Sequence, residues 1–199
     1  MKRILLAFTT VGACVALAGC TGGTPAAPAA PAPTVTLTTS PAIPSADPQL
    51  VTWLNGFCGA VHGYRQRSNA YLEAMPANQT LSVAEAHRAT SKDMGQFTAD
   101  AGQAIDELKA LPALSDAQAE TAKKSFLDKF TAARDSVAAA KAKLDATRPG
   151  NDAAESAATD ALAAARNDIG DFSDPLKPFG EAQTYIIAAI NAPKCKPAS

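Results

Sequence analysis

The sequence predicts an all-α fold: a four-helix up-down-up-down bundle with a kinked fourth helix, behind a disordered N-terminal tether. Three observations predict it. Alanine is abundant, 46 of 199 residues, whereas Val and Ile are sparse and never sustain the alternation of a strand. Apolar residues recur at alternating spacings of four and three, the seam of a helix that faces neighbours. Clusters of Pro, Gly and Asn interrupt that pattern between segments of similar length.

The first helix is predicted over Pro48–Met75, with Leu50, Leu54, Phe57, Val61, Tyr64, Tyr71 and Met75 on its seam and Ser68 in the one gap. Pro76-Ala-Asn-Gln stops it. The second begins after Ser82, whose partner Glu85 three residues on completes a capping-box pattern, and it runs to Leu111. Its seam is Val83, His87, Thr90, Met94, Phe97, Ala101, Ala104, Leu108 and Leu111. The third follows Ser115, where Asp116 and Glu120 suit the positive end of the helix dipole. Phe126, Phe130, Ala133, Val137, Ala140 and Leu144 form its seam, and Pro149-Gly150 ends it. The fourth starts near Asn151 with Ala158, Leu162, Ala165, Ile169, Phe172, Leu176, Phe179, Ile186 and Ile190 in phase. Pro175 and Pro178 interrupt it, and a proline inside a helix costs about 3 kcal/mol. A kink or short break with a restart at Ser173-Asp174 is therefore expected, the second half staying on the same core.

Upstream of Asp47 the composition changes completely. Thr21–Ala46 is Pro, Ala, Thr, Ser and Gly with a few aliphatics, holds six prolines (Pro25, Pro28, Pro31, Pro33, Pro41, Pro44) and carries no charge. Such a segment has too little to bury for a core. Its 26 residues reach roughly 80 Å if stiff and polyproline-like. Thr34, Thr36, Thr38, Thr39 and Ser40 fit an O-glycosylated stalk or a bare one equally.

Before the tether come Met1-Lys2-Arg3, an apolar run from Ile4 to Leu17, and Leu17-Ala18-Gly19-Cys20. A short basic region, an apolar region too short to span a bilayer and small residues before a cleavage point make a signal peptide. Leu17-Ala18-Gly19-Cys20 resembles the lipobox of bacterial lipoproteins at all four positions. The resemblance implies cleavage before Cys20, diacylglycerol on its thiol with acyl chains such as palmitate, and a place on the outer face of the cell membrane. Two or more chains anchor stably where one binds marginally. The chain then divides into a signal peptide (1–19), the lipidated cysteine and linker (20–46) and a helical ectodomain (47–199). About 150 residues suit one domain, able to bury roughly 70% of the unfolded surface.

Of the four cysteines, Cys14 leaves with the signal peptide and Cys20 takes lipid. Cys58 and Cys195 remain, an even pair read most simply as a disulfide outside the cytoplasm. An up-down-up-down course also brings the start of the first helix beside the end of the last. Without Lys2 and Arg3 the chain holds 16 basic and 19 acidic residues, interspersed, which argues against a nucleic-acid partner or a polybasic patch.

No nucleophile elbow, phosphate loop, CxxC, HExxH or EF-hand pattern occurs, so no catalytic residue, metal or cofactor is assigned. His62, one turn after Cys58, is a metal-like spacing better explained by a solvent-facing histidine and a Cys58–Cys195 pair. Asp168, Asp171 and Asp174 fit either a calcium cluster or a solvated face with Asp174 capping the restart. Asn78-Gln79-Thr80 matches the N-glycosylation pattern, which means little beside a lipobox.

The one polar interruption of a seam is His87, with Thr90 one turn on. Counting back from the turn places Ser68, between Tyr64 and Tyr71, at about the same height, against alanine-rich walls. Two readings stand: a hydrogen-bonded core histidine that sets helix register, or a polar ligand layer in which His87, Tyr64 or Tyr71 could hold a haem-like group. The expected function is a non-catalytic binding module of the cell envelope, with a protein or wall component as partner. A small-ligand carrier using the His87 layer is the alternative.

Overall fold

The computed structural model describes residues 45–75 and 80–196. These belong to the compact unit Ile43–Ser199. The signal peptide, lipobox, Cys20, nearly all of the tether and the Pro76–Gln79 stop lie outside the described residues.

Five α-helices and two 3-10 turns make the domain, with no strand among the described residues. They are α1 (Pro48–Glu73), α2 (Val83–Lys109), α3 (Ala117–Asp145), α4 (Asp152–Gly170) and α5 (Gln183–Ile190). The turns are Lys177–Phe179, between α4 and α5, and Pro193–Cys195 at the C-terminal end. Each long helix starts at a side chain that satisfies its free backbone donors. Asp47 accepts from Gln49 N at 2.8 Å ahead of Pro48, Asp116 from Gln118 N and Ala119 N, and Asn151 from Ala154 N. At α2 the predicted capping box forms: Ser82 Oγ accepts from Glu85 N, and Glu85 Oε2 accepts from Ser82 N at 2.9 Å.

α2 packs along α3, and α3 along α4, while α1 lies between α2 on one side and α5 with the final turn on the other. That double cover explains a buried residue the seam spacing missed. Trp53, next to Leu54, is fully buried, stacked on Phe57 at 4.9 Å and edge-on to Phe179 at 6.4 Å. Phe126, Phe172 and Tyr185 extend this aromatic cluster. Cys58 and Cys195 form the predicted disulfide, with Cα atoms 4.9 Å apart, tying α1 to the final turn.

The fourth helix departs from expectation. α4 ends at Gly170, and residues 171–182 leave the α-helix before α5 begins. Pro175 and Pro178 each lack a donor, and three residues apart they leave no room for an α-helical turn. Asp174 Oδ1 takes Leu176 N at 2.9 Å, and Gly180 adopts φ 55°, a conformation that favours glycine. Pro175 and Phe179 are buried and Phe172 and Leu176 pack against the core, so the break itself is part of the interior. Helical phase is lost across it. α5 buries Tyr185, Ala188 and Ala189, whereas Ile186 and Ile190, predicted on the seam, are 44% and 63% exposed. Met75 and Val83, also predicted on seams, are exposed because the apolar register runs out at the α1–α2 end.

Candidate functional site

Past Tyr64 the core-facing side of α1 turns polar, with Arg67, Ser68 and Tyr71, and α2 answers with Asp93, Gln96, Asp100 and Glu107. Arg67 Nη1 meets Glu107 Oε1 at 3.5 Å, and Arg67 Nε lies 3.7 Å from Asp100 Oδ1. Asp100 is buried and also accepts from Gln96 Nε2 at 3.1 Å. From α4, Arg166 pairs with Asp93. Tyr64 sits where this network meets the dry core, edge-on to Phe130 at 5.1 Å and Phe97 at 6.2 Å. Burial chiefly, and then the Asp100 charge, push its phenol up to about 12, against the lowering influence of Arg166 and Ser68. Tyr71 is also raised, by desolvation first and Asp93 second.

Beside this network a groove of about 400 Å³ opens between α2 and α4, lined by Met75, Thr90, Asp93, Leu162 and Arg166. It combines apolar walls with one ion pair, a composition suited to a small polar ligand. Two further grooves flank His62 on α1. One of about 770 Å³ runs over Gly56, Gly59 and Gly63 toward Arg67 and Lys194, and one of about 440 Å³ lies by Arg65, Asn69, Asp174 and Cys195. His62 is only part-exposed: its Nδ1 lies 2.8 Å from the carbonyl oxygen of Lys194. The glycines serve close packing, since a Cβ on Gly56 would stand 2.5 Å from Leu111 Cδ2 and one on Gly59 2.7 Å from Lys194 Cδ.

His87 is buried, but at another level. Its Nδ1 lies 3.4 Å from Glu155 Oε1, which also accepts from Gly150 N at 3.0 Å. Close by, Asp145 accepts from Lys141 Nζ and Ser91 Oγ, each at 2.6 Å, and those bonds hold its carboxyl below the ordinary range. His87 thus links α2 to the first turn of α4, and it lines none of the grooves described above. The structure brings Tyr64, Ser68 and Tyr71 to Arg166 and the α2 acids, places Thr90 in the α2–α4 groove, and leaves His87 apart from them.

Register accounts for this. Gly56 lies against Leu111 and Arg67 against Asp100, so Glu73 at the end of α1 faces about Met94. His87 then falls about two turns beyond the end of α1. Asp93, Asp100 and Arg166 escaped the sequence reading; Asp100, flanked by the seam residues Phe97, Ala101 and Ala104, was the available signal.

Asp168, Asp171 and Asp174 are exposed, and among the described residues no His, Cys, Asp and Glu side chains gather in threes as metal ligands. Nor is any described helix long and apolar enough to cross a membrane. No family model, curated protein or solved structure matches the chain.

Proposed function

We propose that this chain is an extracytoplasmic lipoprotein, held to the cell membrane by diacylglycerol on Cys20, whose helical domain is a non-catalytic binding module of the cell envelope. The location rests on the Leu17-Ala18-Gly19-Cys20 motif, and the Cys58–Cys195 disulfide suits an oxidising compartment while leaving Cys20 free for lipid.

The observation that carries the binding role is the concentration of exposed apolar side chains at the end of α1 and the start of α2. Leu72 and Met75 at the end of α1, with Leu81 and Val83 at the start of α2, are four of the six large apolar side chains exposed among the described residues. Exposed apolar side chains confined to the two helix ends that one short connection joins, rather than scattered over the domain, suit an interaction surface. The domain would present them at one end of an up-down-up-down bundle. Support for that course comes from Arg67–Asp100 and Gly56–Leu111 between α1 and α2, and from Ser91–Asp145 between α2 and α3. The pairs His87–Glu155 and Asp93–Arg166 run in the same order along α2 and α4. The carrier alternative draws support from the α2–α4 groove at Thr90, Asp93 and Arg166 rather than from His87.

Native mass spectrometry of the protein purified from its own host tests both parts. The expected result is a mature chain beginning at Cys20 with diacylglycerol mass, carrying a protein or wall fragment that is lost in Leu72→Gln/Val83→Gln. An unmodified Cys20 overturns the anchor, and a co-purifying mass indifferent to that double variant overturns the interaction surface.

A further inference from the structure

α5 is an uncharged helix, Gln-Thr-Tyr-Ile-Ile-Ala-Ala-Ile, with only one side covered. Tyr185, Ala188 and Ala189 face the core, while Ile186 and Ile190, one turn apart, stand in solvent. Ile190 at 63% is the most exposed large apolar side chain among the described residues. Ile187 and Ile190 line an open groove of about 710 Å³ together with Ser45, Ala46, Pro48 and Val51. The chain that leads back to Cys20 therefore leaves the domain at the rim of this same groove, 25 residues from the proposed anchor.

Charge is segregated in the same sense. Residues 45–176 carry 13 basic against 18 acidic side chains, whereas residues 177–196 carry Lys177, Lys194 and Lys196 against Glu181 alone. Lys194 and Lys196 follow α5 directly, and both are exposed. Exposed isoleucines flanked by lysines are the pattern of a surface that lies in a lipid headgroup layer.

We propose that the domain rests on the phospholipid surface of its own membrane through α5. Ile186 and Ile190 enter the boundary between headgroups and acyl chains, and Lys194 and Lys196 face anionic headgroups. The proposal takes the membrane's position from the lipoprotein reading above. Two partly buried isoleucines bind weakly alone, but a short tether makes the contact intramolecular at an effective concentration on the order of millimolar. Seating α5 on the membrane leaves the Leu72–Val83 end free, since α1 separates the two by its length.

The test uses the chain from residue 20 with Cys20→Ser, which removes the lipid contribution, at accessible lipid on the order of millimolar, the concentration the tether would otherwise supply. It is mixed with vesicles of phosphatidylcholine alone, or of phosphatidylcholine with phosphatidylglycerol. Co-sedimentation is expected with the mixed vesicles, weakening as salt rises. Ile186→Gln/Ile190→Gln is expected to lower partitioning about tenfold or more, and Lys196→Gln roughly fivefold. The circular-dichroism melt of each should match the parent, because all three side chains are exposed. Absent co-sedimentation, or partitioning unchanged in the isoleucine double variant, overturns the proposal. So does a dimer in sedimentation velocity that dissolves in that variant, which would make a second copy the occupant. The anchor is judged separately from the mass of Cys20, so either idea fails alone.

Discussion

Tyr64 has its ring in the aromatic core and its hydroxyl among Ser68, Arg166 and Asp100. Its phenol keeps its proton to about pH 12 in the folded chain and loses it near 10 when unfolded. The folded pKa is the higher one, so its contribution to stability is complete below pH 10 and disappears as pH rises from 10 to about 12. Ultraviolet titration should show a tyrosine step near 12 that Tyr64→Phe removes, and alkaline unfolding should shift to higher pH in that variant. An unshifted step would mean that water reaches the ring. The neighbouring Asp100 shows why single residues are hard to read from sequence. Its burial depends on Arg67, 33 residues away, arriving from another helix.

At the scale of elements, the capped starts of the helices are local chemistry, and they form where Asp47, Ser82, Asp116 and Asn151 dictate. The segment 171–182 is different, because its apolar residues keep helical spacing while its prolines deny the helix. The chain resolves the conflict by burying Pro175 and Phe179 in a non-helical connection. That connection turns at Gly180, whose φ of 55° and ψ of −138° suit no L side chain. Gly180→Ala is expected to destabilise the domain by roughly 1–3 kcal/mol in urea unfolding. A change below a few tenths would show that the turn relaxes freely.

Across the whole molecule, the Cys58–Cys195 disulfide joins α1 to the final turn over 137 residues of chain. By chain entropy such a crosslink is worth about 5 kcal/mol at most. Its weight is large here because 11 of the 31 buried apolar residues of the core are alanines, each contributing little area. Cys58→Ala/Cys195→Ala should lower the denaturant midpoint strongly, and reductant should do the same to the parent alone. Equal midpoints with and without reductant would show that packing suffices. The molecule also has two unlike regions: the end of α1 and the start of α2, where Leu72, Met75, Leu81 and Val83 are exposed, and the α5 side, where Ser45 and Ala46 lie beside exposed isoleucines.

Helix class, the starts of the four long helices and the cysteine pairing were legible in the sequence, because each rests on neighbours along the chain or on simple counting. The Phe126–Leu144 seam of α3 was legible for the same reason, since periodicity within one helix is enough to place it. The height of His87 relative to Ser68 and the tyrosines was not legible in this way. It depends on how far α2 overshoots α1, and that register is set by Arg67 meeting Asp100 and by Leu111 lying over Gly56. Likewise Trp53 is buried and Ile190 exposed because α5 restarts out of phase and covers the far side of α1. Spacing along one helix cannot encode which neighbour arrives at which level. Only the packed tertiary structure decided where His87, the tyrosines and the exposed isoleucines came to lie.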